Sequence, residues 1–509
     1  MNRHSPRRTF GVLATGAGVY ALLQSLITPA LPIVQDAMHT SQSTVTWVMT
    51  AYLLSASVFT PILGRIGDLV GKKRTLVAAL VALLLGCLVD ALAPNITVLI
   101  LGRVLQGIGG ALFPLSFGII RDEFPTRKVP GGISNLSAVI AVGSGLGMVL
   151  AGPIVGALDY RWLFWLPVVV LLGTIALAQR FVPESPVRGE GTVDWLSAVL
   201  LSGWLVALLL PVSQAARWGW GSTGVLGLLA LAVLLFAAWA LRETRTRNPL
   251  IDLRVMRLPA VWTTNTAALL FGAGMYALWA FLPGFVQTPS SAGYGFGSTV
   301  TGAGLLMLPM VGAMFVAGLL GGRLAGRFPA KAQLSVGALL GAVACALLAA
   351  RHGSPADVAL AAGVFGLGIG LAFASMSNLI VQSVPAAQTG AATGMNANIR
   401  TIGGSMGAAL MTGLVTGHLQ PTGRPYETGY TQGFALLAVF CLAAAGAALL
   451  VPARRAGAVV ASGAAPGAAS GTVSGAVSGA ASGAVPGVAP VSAPVSVEPG
   501  AVRREPVGG

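Results

Sequence analysis

Apolar positions in this chain gather into long blocks that carry almost no charge, separated by short basic clusters and by Pro, Gly and Asn breaks. A helix rises 1.5 Å per residue, so an uncharged apolar block of about 18 or more residues is long enough to cross a bilayer. Fourteen such blocks lie at about 10–34, 45–64, 75–93, 96–120, 133–157, 162–181, 194–213, 222–241, 260–287, 299–321, 332–350, 357–382, 391–415 and 430–451. Two uncharged stretches exceed one helix. Residues 258–322 are cut at PSSAGYGFGS and 358–399 near SVPAAQTG, where Pro and Gly supply turn chemistry. The pattern predicts an all-α polytopic membrane protein with fourteen transmembrane helices.

Composition strengthens this reading. The chain has 509 residues, 55% hydrophobic and only 9% charged, with a mean hydropathy of +0.81. Soluble globular proteins carry about 25% charged residues, so a water-soluble enzyme is excluded. A net charge of +15 could signal nucleic acid, but the basic residues sit in the short clusters between blocks, which argues against such a partner. Cys87, Cys345 and Cys441 lie inside apolar blocks without disulfide or metal spacing. The histidines His4, His39, His352 and His418 are scattered at block edges and offer neither a metal set nor a catalytic base. There is no GxxxxGK[ST] loop for ATP. No enzyme, cofactor or metal is expected, and the energy for any transport comes from a gradient.

Basic residues test the span count, because cytoplasmic loops collect Lys and Arg. With the N-terminus inside, inner segments hold Arg3, Arg7, Arg8, Arg65, Lys72, Lys73, Arg74, Arg121, Arg127 and Lys128. They continue with Arg180, Arg188, Arg242, Arg245, Arg247, Arg254, Arg257, Arg323, Arg327, Lys331 and four arginines of the tail, making 24 of the 30. The outer loops hold Arg161, Arg217, Arg351 and Arg424, and Arg103 and Arg400 fall within blocks. Both chain ends are therefore expected in the cytoplasm. Arg7 and Arg8 could open a twin-arginine export signal, but the many spans that follow favour an uncleaved first helix. Beyond Arg455 the chain is Ala, Gly, Ser, Val and Pro in loose repeats such as SGAVSGAASGAVPG, the composition of a disordered tail.

An internal repeat organises the spans. LGRVLQGIGGA around Arg103 matches AGVFGLGIGLA around Val364 at an offset of 261; GRIGDLVGKKR from Gly64 matches GRLAGRFPAK from Gly322 at 258; Gly143 and Gly147 match Gly403 and Gly407 at 260. Each pair is eight spans apart, so two extra spans lie between two six-span halves. The expected organisation is residues 1–181 as one six-helix bundle, 182–259 as two inserted helices with a basic loop, 260–452 as the second bundle, and 453–509 as the tail. Parallel duplication of six-helix bundles places a cavity on the pseudo-twofold axis at mid-membrane, which suits a transporter.

At these residues the chain resembles the major facilitator superfamily, and within it the 14-span drug:proton antiporters. GRIGDLVGKKR, with Gly64, Asp68, Gly71, Lys72 and Arg74, is similar to the superfamily's signature loop; the second copy carries Gly326 in place of Asp68. LGRVLQGIGGALFP, with Arg103, Gln106 and Gly107, resembles the fourth-span motif, and GMVLAGPIVGAL, with Gly147, Gly152, Pro153 and Gly156, resembles the fifth-span antiporter motif. Met148 and Ala157 stand where the family form has further glycines. The resemblance implies a major facilitator fold of six, two and six helices, an inner gate at the Asp68 loop, and a part for Arg103 in proton coupling. A structural pairing of Arg103 with Asp90 is the alternative. Where the subfamily usually carries a first-span Asp before Ala30-Leu31-Pro32, this chain has Leu23. Asp90, Asp36 and Asp68 are then the acids left to carry a proton.

Candidate substrate-cavity residues are aromatic, sulfur-containing or amide side chains: Trp47, Tyr52, Gln106, Asn265, Tyr276, Trp279, Met307, Met310, Met314, Asn378 and Asn396, with Asn398 and Arg400 on the thirteenth span. Adaptable Met and aromatic walls suit varied apolar ligands. The expected function is proton-driven efflux of small amphipathic compounds by alternating access. The chain would act as a monomer in the plasma membrane, its partners being a small-molecule substrate, protons and the lipid bilayer. An uptake carrier or uniporter of the same fold, and a non-transporting membrane sensor, are the competing readings.

Overall fold

The computed structural model describes residues 5–452 except 186–188, 190, 325–326, 418 and 422–423. The tail at 453–509 and Gly326 therefore lie outside the described residues. Fourteen long helices follow one another: α1 (Pro6–Ala37), α2 (Trp47–Val70), α3 (Lys72–Ala91), α4 (Ile96–Glu123), α5 (Val129–Ala157), α6 (Trp162–Phe181), α7 (Trp195–Trp218), α8 (Thr223–Arg245), α9 (Pro259–Gln287), α10 (Val300–Leu324), α11 (Ala330–Ala350), α12 (Pro355–Ser383), α13 (Thr389–Thr416) and α14 (Glu427–Leu449). Among the described residues no strand forms; a single bridge joins Leu419 and Pro425.

Local chemistry sets the ends of these helices. Asn95, Asp194, Ser222 and Ser354 each accept a hydrogen bond from a first-turn N–H of α4, α7, α8 and α12, satisfying donors that the helix leaves open. Gly71 stops α2 with φ +133° and lets α3 begin at the next residue, a backbone conformation that L side chains rarely adopt. Pro61, Pro153, Pro167, Pro211, Pro283 and Pro309 sit inside helices, which a membrane protein tolerates where neighbours re-satisfy the freed carbonyls.

Thirteen of the helices are long and apolar enough to cross a membrane. The exception is α13, which carries Thr389, Asn396, Asn398, Arg400, Thr401 and Ser405 over 28 residues. Its polar side chains turn inward: Asn396, Asn398 and Arg400 are buried, and α13 packs on α9, α2 and α14. Outward-facing surfaces are the reverse, with Val169, Val233, Leu234, Leu360 and Leu449 exposed. Such a band would be costly in water and belongs against lipid.

Helices α1 to α6 pack mainly through α1–α5, α3–α4, α2–α4 and α3–α6; helices α9 to α14 mainly through α10–α12, α11–α12, α9–α13 and α11–α14. The sets meet mainly along α5 against α10 and α2 against α13, with further contacts of α5 on α12 and α4 on α13. The inserted α7 lies along α2 and α13, while α8 rests chiefly on α7. Small residues allow the close seams: a Cβ on Gly64 would fall 2.6 Å from the Gly390 carbonyl, and one on Gly318 would overlap Ala138.

Candidate functional site

Between the two sets of helices lies a chamber of about 50 Å³, walled by Tyr20 and Gln24 of α1, Ser57 of α2, Tyr276 and Trp279 of α9, Met314 of α10, Phe373 of α12, and Asn398 and Arg400 of α13. Tyr276 and Trp279 meet edge to face at 5.8 Å. The Arg400 guanidinium lies 4.0 Å from the centre of the Phe373 ring, a cation–π arrangement that holds a buried charge where no carboxylate reaches it. Gln24, Leu53, Ser144, Tyr276, Trp279 and Thr401 also line a second space of about 310 Å³, so the two adjoin and share these side chains as a wall. This vestibule runs toward Thr28, Thr46 and Thr412, at the end of the molecule opposite the start of α1. No Asp or Glu lines either space.

The other end is closed. Asp68, fully buried in α2, accepts hydrogen bonds from the N–H groups of Gly390 (3.3 Å) and Ala391 (3.1 Å) at the start of α13. A carboxylate on the positive end of a helix dipole is a favourable pairing. Lys72 stands 3.6 Å from Asp68 and 2.6 Å from Asp122, and Ser185 donates to Asp122 as well. Arg121 ties α4 to the loop before α13 through Thr389 Oγ1 and the Val384 carbonyl. Asn398 Nδ2 donates to the Ser57 carbonyl at 2.6 Å. Arg74, by contrast, is exposed and pairs with Glu184 at 3.6 Å. Gly64 and Gly71 contribute backbone: the first permits contact with Gly390, the second turns α2 into α3.

Arg103 and Asp90 are not in direct contact. Gln106 stands between them, its amide oxygen accepting from Arg103 and its Nε2 donating to Asp90 Oδ2 at 2.8 Å. Arg103 also donates to the Val48 carbonyl and lies 4.3 Å from the centre of the Tyr52 ring, which stacks on Tyr20 at 5.9 Å. Tyr20 lines the chamber, so an unbroken row of side chains leads from it to Asp90. Asp90 Oδ1 has no hydrogen-bond partner. Glycines make the room: a Cβ on Gly102 would overlap Asp90 Oδ1, and one on Gly86 would lie 2.7 Å from the Gln106 backbone.

Several expected residues fall elsewhere. Asp36 is exposed at the far end of α1, away from the chamber. Asn265 and Asn396 bond each other at 2.8 Å, and Asn378 joins Ser134 of α5 at 3.0 Å, so these amides are spent on helix contacts. Met307 and Met310 belong to the apolar core of α9 to α14, and Trp47 is half-buried outside both spaces. Of the fifth-span glycines, Gly147 packs on Leu22 and Ser25 of α1 and Gly152 on Thr301 of α10, whereas Gly156 has open space and Pro153 is exposed. The chamber residues Tyr20, Gln24, Ser57 and Phe373, and Asp122, which meets Lys72, have no motif or spacing signal that marks them in the sequence.

Similar proteins share this arrangement of helices. Residues 13–408 match the Major Facilitator Superfamily. The chain is 29% identical over 416 residues to the tetracenomycin C resistance and export protein of Streptomyces glaucescens, covering 80% of this chain and 76% of the relative. It is 29% identical over 433 residues to a multidrug resistance protein B homolog of Mycobacterium tuberculosis, covering 81% and 77%, and 26% identical to multidrug resistance protein 3 of Bacillus subtilis, covering 72% and 71%. Its fold resembles the human organic anion transporter MFSD10 (TM-score 0.65, 15% identity, 87% of this chain and 99% of that one) and the proton:xylose symporter XylE (TM-score 0.62, 14%, 86% and 94%). Helical order, packing and match together show that this chain is a multi-pass membrane protein belonging to the Major Facilitator Superfamily of transporters.

Proposed function

We propose that the chain exports small amphipathic compounds in exchange for protons, by alternating access between two six-helix halves joined by the inserted pair α7–α8. The observation that carries this reading is a central chamber that adjoins a vestibule toward one face, while Asp68 on the N-terminus of α13 holds the helices together toward the other. The basic loops lie at the sealed face, which makes it the cytoplasmic one by the bias of Lys and Arg toward the inside. The start of α1 and the end of α14 then lie on the cytoplasmic side, and the vestibule opens outward. Relatives named for multidrug resistance and tetracenomycin C export support efflux as the direction. A monomer in the plasma membrane suffices for the mechanism, since the cavity is complete within one chain.

Proton coupling needs a titratable group whose surroundings change between the two states. Asp90 suits that role: it is buried, has one free carboxyl oxygen, and reaches the chamber through Gln106, Arg103, Tyr52 and Tyr20. A charge as deep as Arg103 costs some 2.5 kcal/mol or more in a bilayer, so its retention fits a working part. The absence of acids along the chamber and the presence of Arg400 favour neutral or anionic amphipathic substrates over strongly cationic ones. Leu23, buried where the subfamily has an acid, favours a uniporter as the second reading.

Accumulation of dyes and antibiotics in a strain lacking its own pumps separates these readings. Export predicts lower accumulation in expressing cells, restored to the control level by an uncoupler. Accumulation that expression leaves unchanged, or that an uncoupler does not restore, would reject proton-driven efflux.

A further inference from the structure

A second cavity lies apart from the transport chamber, at the basic face, where the start of α1, the start of α5 and the end of α10 meet. Its volume is about 640 Å³. Its rim carries four cations, Arg7, Arg127, Lys128 and Arg323, all exposed, and no acidic side chain lines it. Among the described residues none of the four makes an ion pair. On the same face Lys72 and Arg242 each have an acid beside them, Asp122 and Asp194. Four unneutralised cations around one hollow repel each other unless an anion sits among them.

The floor of the hollow is apolar and shaped by glycine. Phe10 and Phe124 form one wall, their rings 6.4 Å apart. Gly131 and Gly322 face each other across the α5–α10 seam, where a Cβ on Gly322 would lie 3.5 Å from the Gly131 Cα. A Cβ on Gly131 itself would meet nothing within 4 Å, so the space above it is empty. A cationic rim over an aromatic and glycine floor, at the ends of membrane-spanning helices, matches an anionic headgroup with its acyl chains descending along the bundle. A soluble phosphate would use the rim and leave the floor unfilled.

We propose that this hollow binds an anionic phospholipid of the cytoplasmic leaflet, with its phosphate among Arg7, Arg127, Lys128 and Arg323 and its chains at the outer mouth of the α5–α10 seam. Because α5 and α10 belong to opposite halves, a lipid seated across them ties the two halves at the closed face. Anionic lipid should then stabilise the protein and slow opening toward the cytoplasm.

The test uses the full chain in nanodiscs whose phosphatidylcholine is replaced stepwise by phosphatidylglycerol, read by native mass spectrometry and by thermal unfolding. Wild type should retain one or two phosphatidylglycerol molecules and unfold at a higher temperature as that lipid increases. Arg127→Gln/Lys128→Gln/Arg323→Gln should lose both effects. Arg245→Gln/Arg247→Gln/Arg254→Gln, which removes three charges elsewhere on the same face, should keep them. Gly131→Leu leaves every charge in place and fills the hollow, and it too should lose the retained lipid; this variant keeps the test decisive if the triple charge variant fails to fold. Retention of phosphatidylglycerol by Gly131→Leu and the charge triple at the wild-type level would overturn the proposal. So would stabilisation of detergent-solubilised wild type by inorganic phosphate equal to that by the lipid.

Discussion

At the scale of single residues, the clasp at Asp68 depends on charge more than on shape. Its carboxylate meets two N–H groups of α13 and the Lys72 ammonium, all inside the protein. Hydrogen bonds to a charged group contribute about 1.5–3 kcal/mol each, so loss of the charge shifts the population of closed and open states by tenfold or more. Asp68→Asn should therefore reduce substrate efflux by about tenfold while leaving the amount of folded protein near wild type. Efflux assays normalised to protein in the membrane give the answer, and an unchanged rate would deny the clasp a part in the cycle. Asp90→Asn is expected to behave differently. It should abolish efflux driven by a proton gradient while sparing substrate exchange across vesicles without one, because Asn keeps the hydrogen bond to Gln106 and cannot release a proton. Equal loss of both activities would assign Asp90 a structural role instead.

At the scale of elements, glycines with the same motif pedigree have unlike tasks. A side chain at Gly147 would run into Ser25 Oγ and lie 2.5 Å from the Leu22 carbonyl, pushing α1 from α5. Overpacking of this kind costs about 1–3 kcal/mol, so Gly147→Val should lower the detergent unfolding temperature by several degrees. Gly156→Ala meets open space and should be within about 0.5 kcal/mol of neutral by the same measurement. The hairpin α7–α8 carries a different device. Asp194 caps α7 through the N–H groups of Leu196 and Ser197 and pairs with Arg242 of α8 at 3.0 Å. Burial alone would raise its pKa, but the hydrogen bonds from Arg242 and the Ser197 N–H prevail and hold it below the usual carboxylate range. A depressed folded-state pKa stabilises above the unfolded value of about 3.9 and loses that contribution as pH falls through the folded one. Asp194→Ala should thus cost about 1 kcal/mol at neutral pH, and the difference from wild type should shrink as the pH falls below the unfolded value and through the folded one. A constant difference across a pH series of unfolding scans would contradict the assignment.

At the scale of the molecule, the two ends of the central cavity should react differently with a membrane-impermeant thiol reagent. Cys87, Cys345 and Cys441 are buried, so the native background is low. Thr412→Cys, in the vestibule, should be modified from outside intact cells and protected by substrate; Thr393→Cys, behind the clasp, should resist. Adding Asp68→Asn should expose Thr393→Cys to reagent from the cytoplasmic side of inverted vesicles. Equal modification of both positions in the otherwise native chain would mean that the closed face is not closed.

Much of this architecture is legible in the chain itself. Uncharged runs of twenty or more apolar residues have no stable home except a bilayer-spanning helix, because a buried backbone must satisfy its own hydrogen bonds. All fourteen marked blocks correspond to long helices, including the polar thirteenth, which hydropathy alone passes over. The offset near 260 marks Gly64 with Gly322 and Gly143 with Gly403, and of these Gly64, Gly143 and Gly403 stand at close helix contacts. Asp68, Gly71 and Lys72 stand out because they share one short motif, although the groups that Asp68 and Lys72 meet on α13 and α4 lie far away in sequence. Which amide faces the chamber cannot be read the same way. On α13, Asn396 pairs with Asn265 while Arg400, on the same helix face at i, i+4, lines the central space together with Asn398, a difference set by what the neighbouring helices present there. Periodicity reports that a helix has a polar side; only packing decides whether that side meets another helix, a ligand space or lipid. The chain alone thus determined the spans and their approximate number, since desolvation acts on each segment separately. The chamber, the Gln106 link between Arg103 and Asp90, and the paired seams arise only when helices far apart in sequence are brought within side-chain reach.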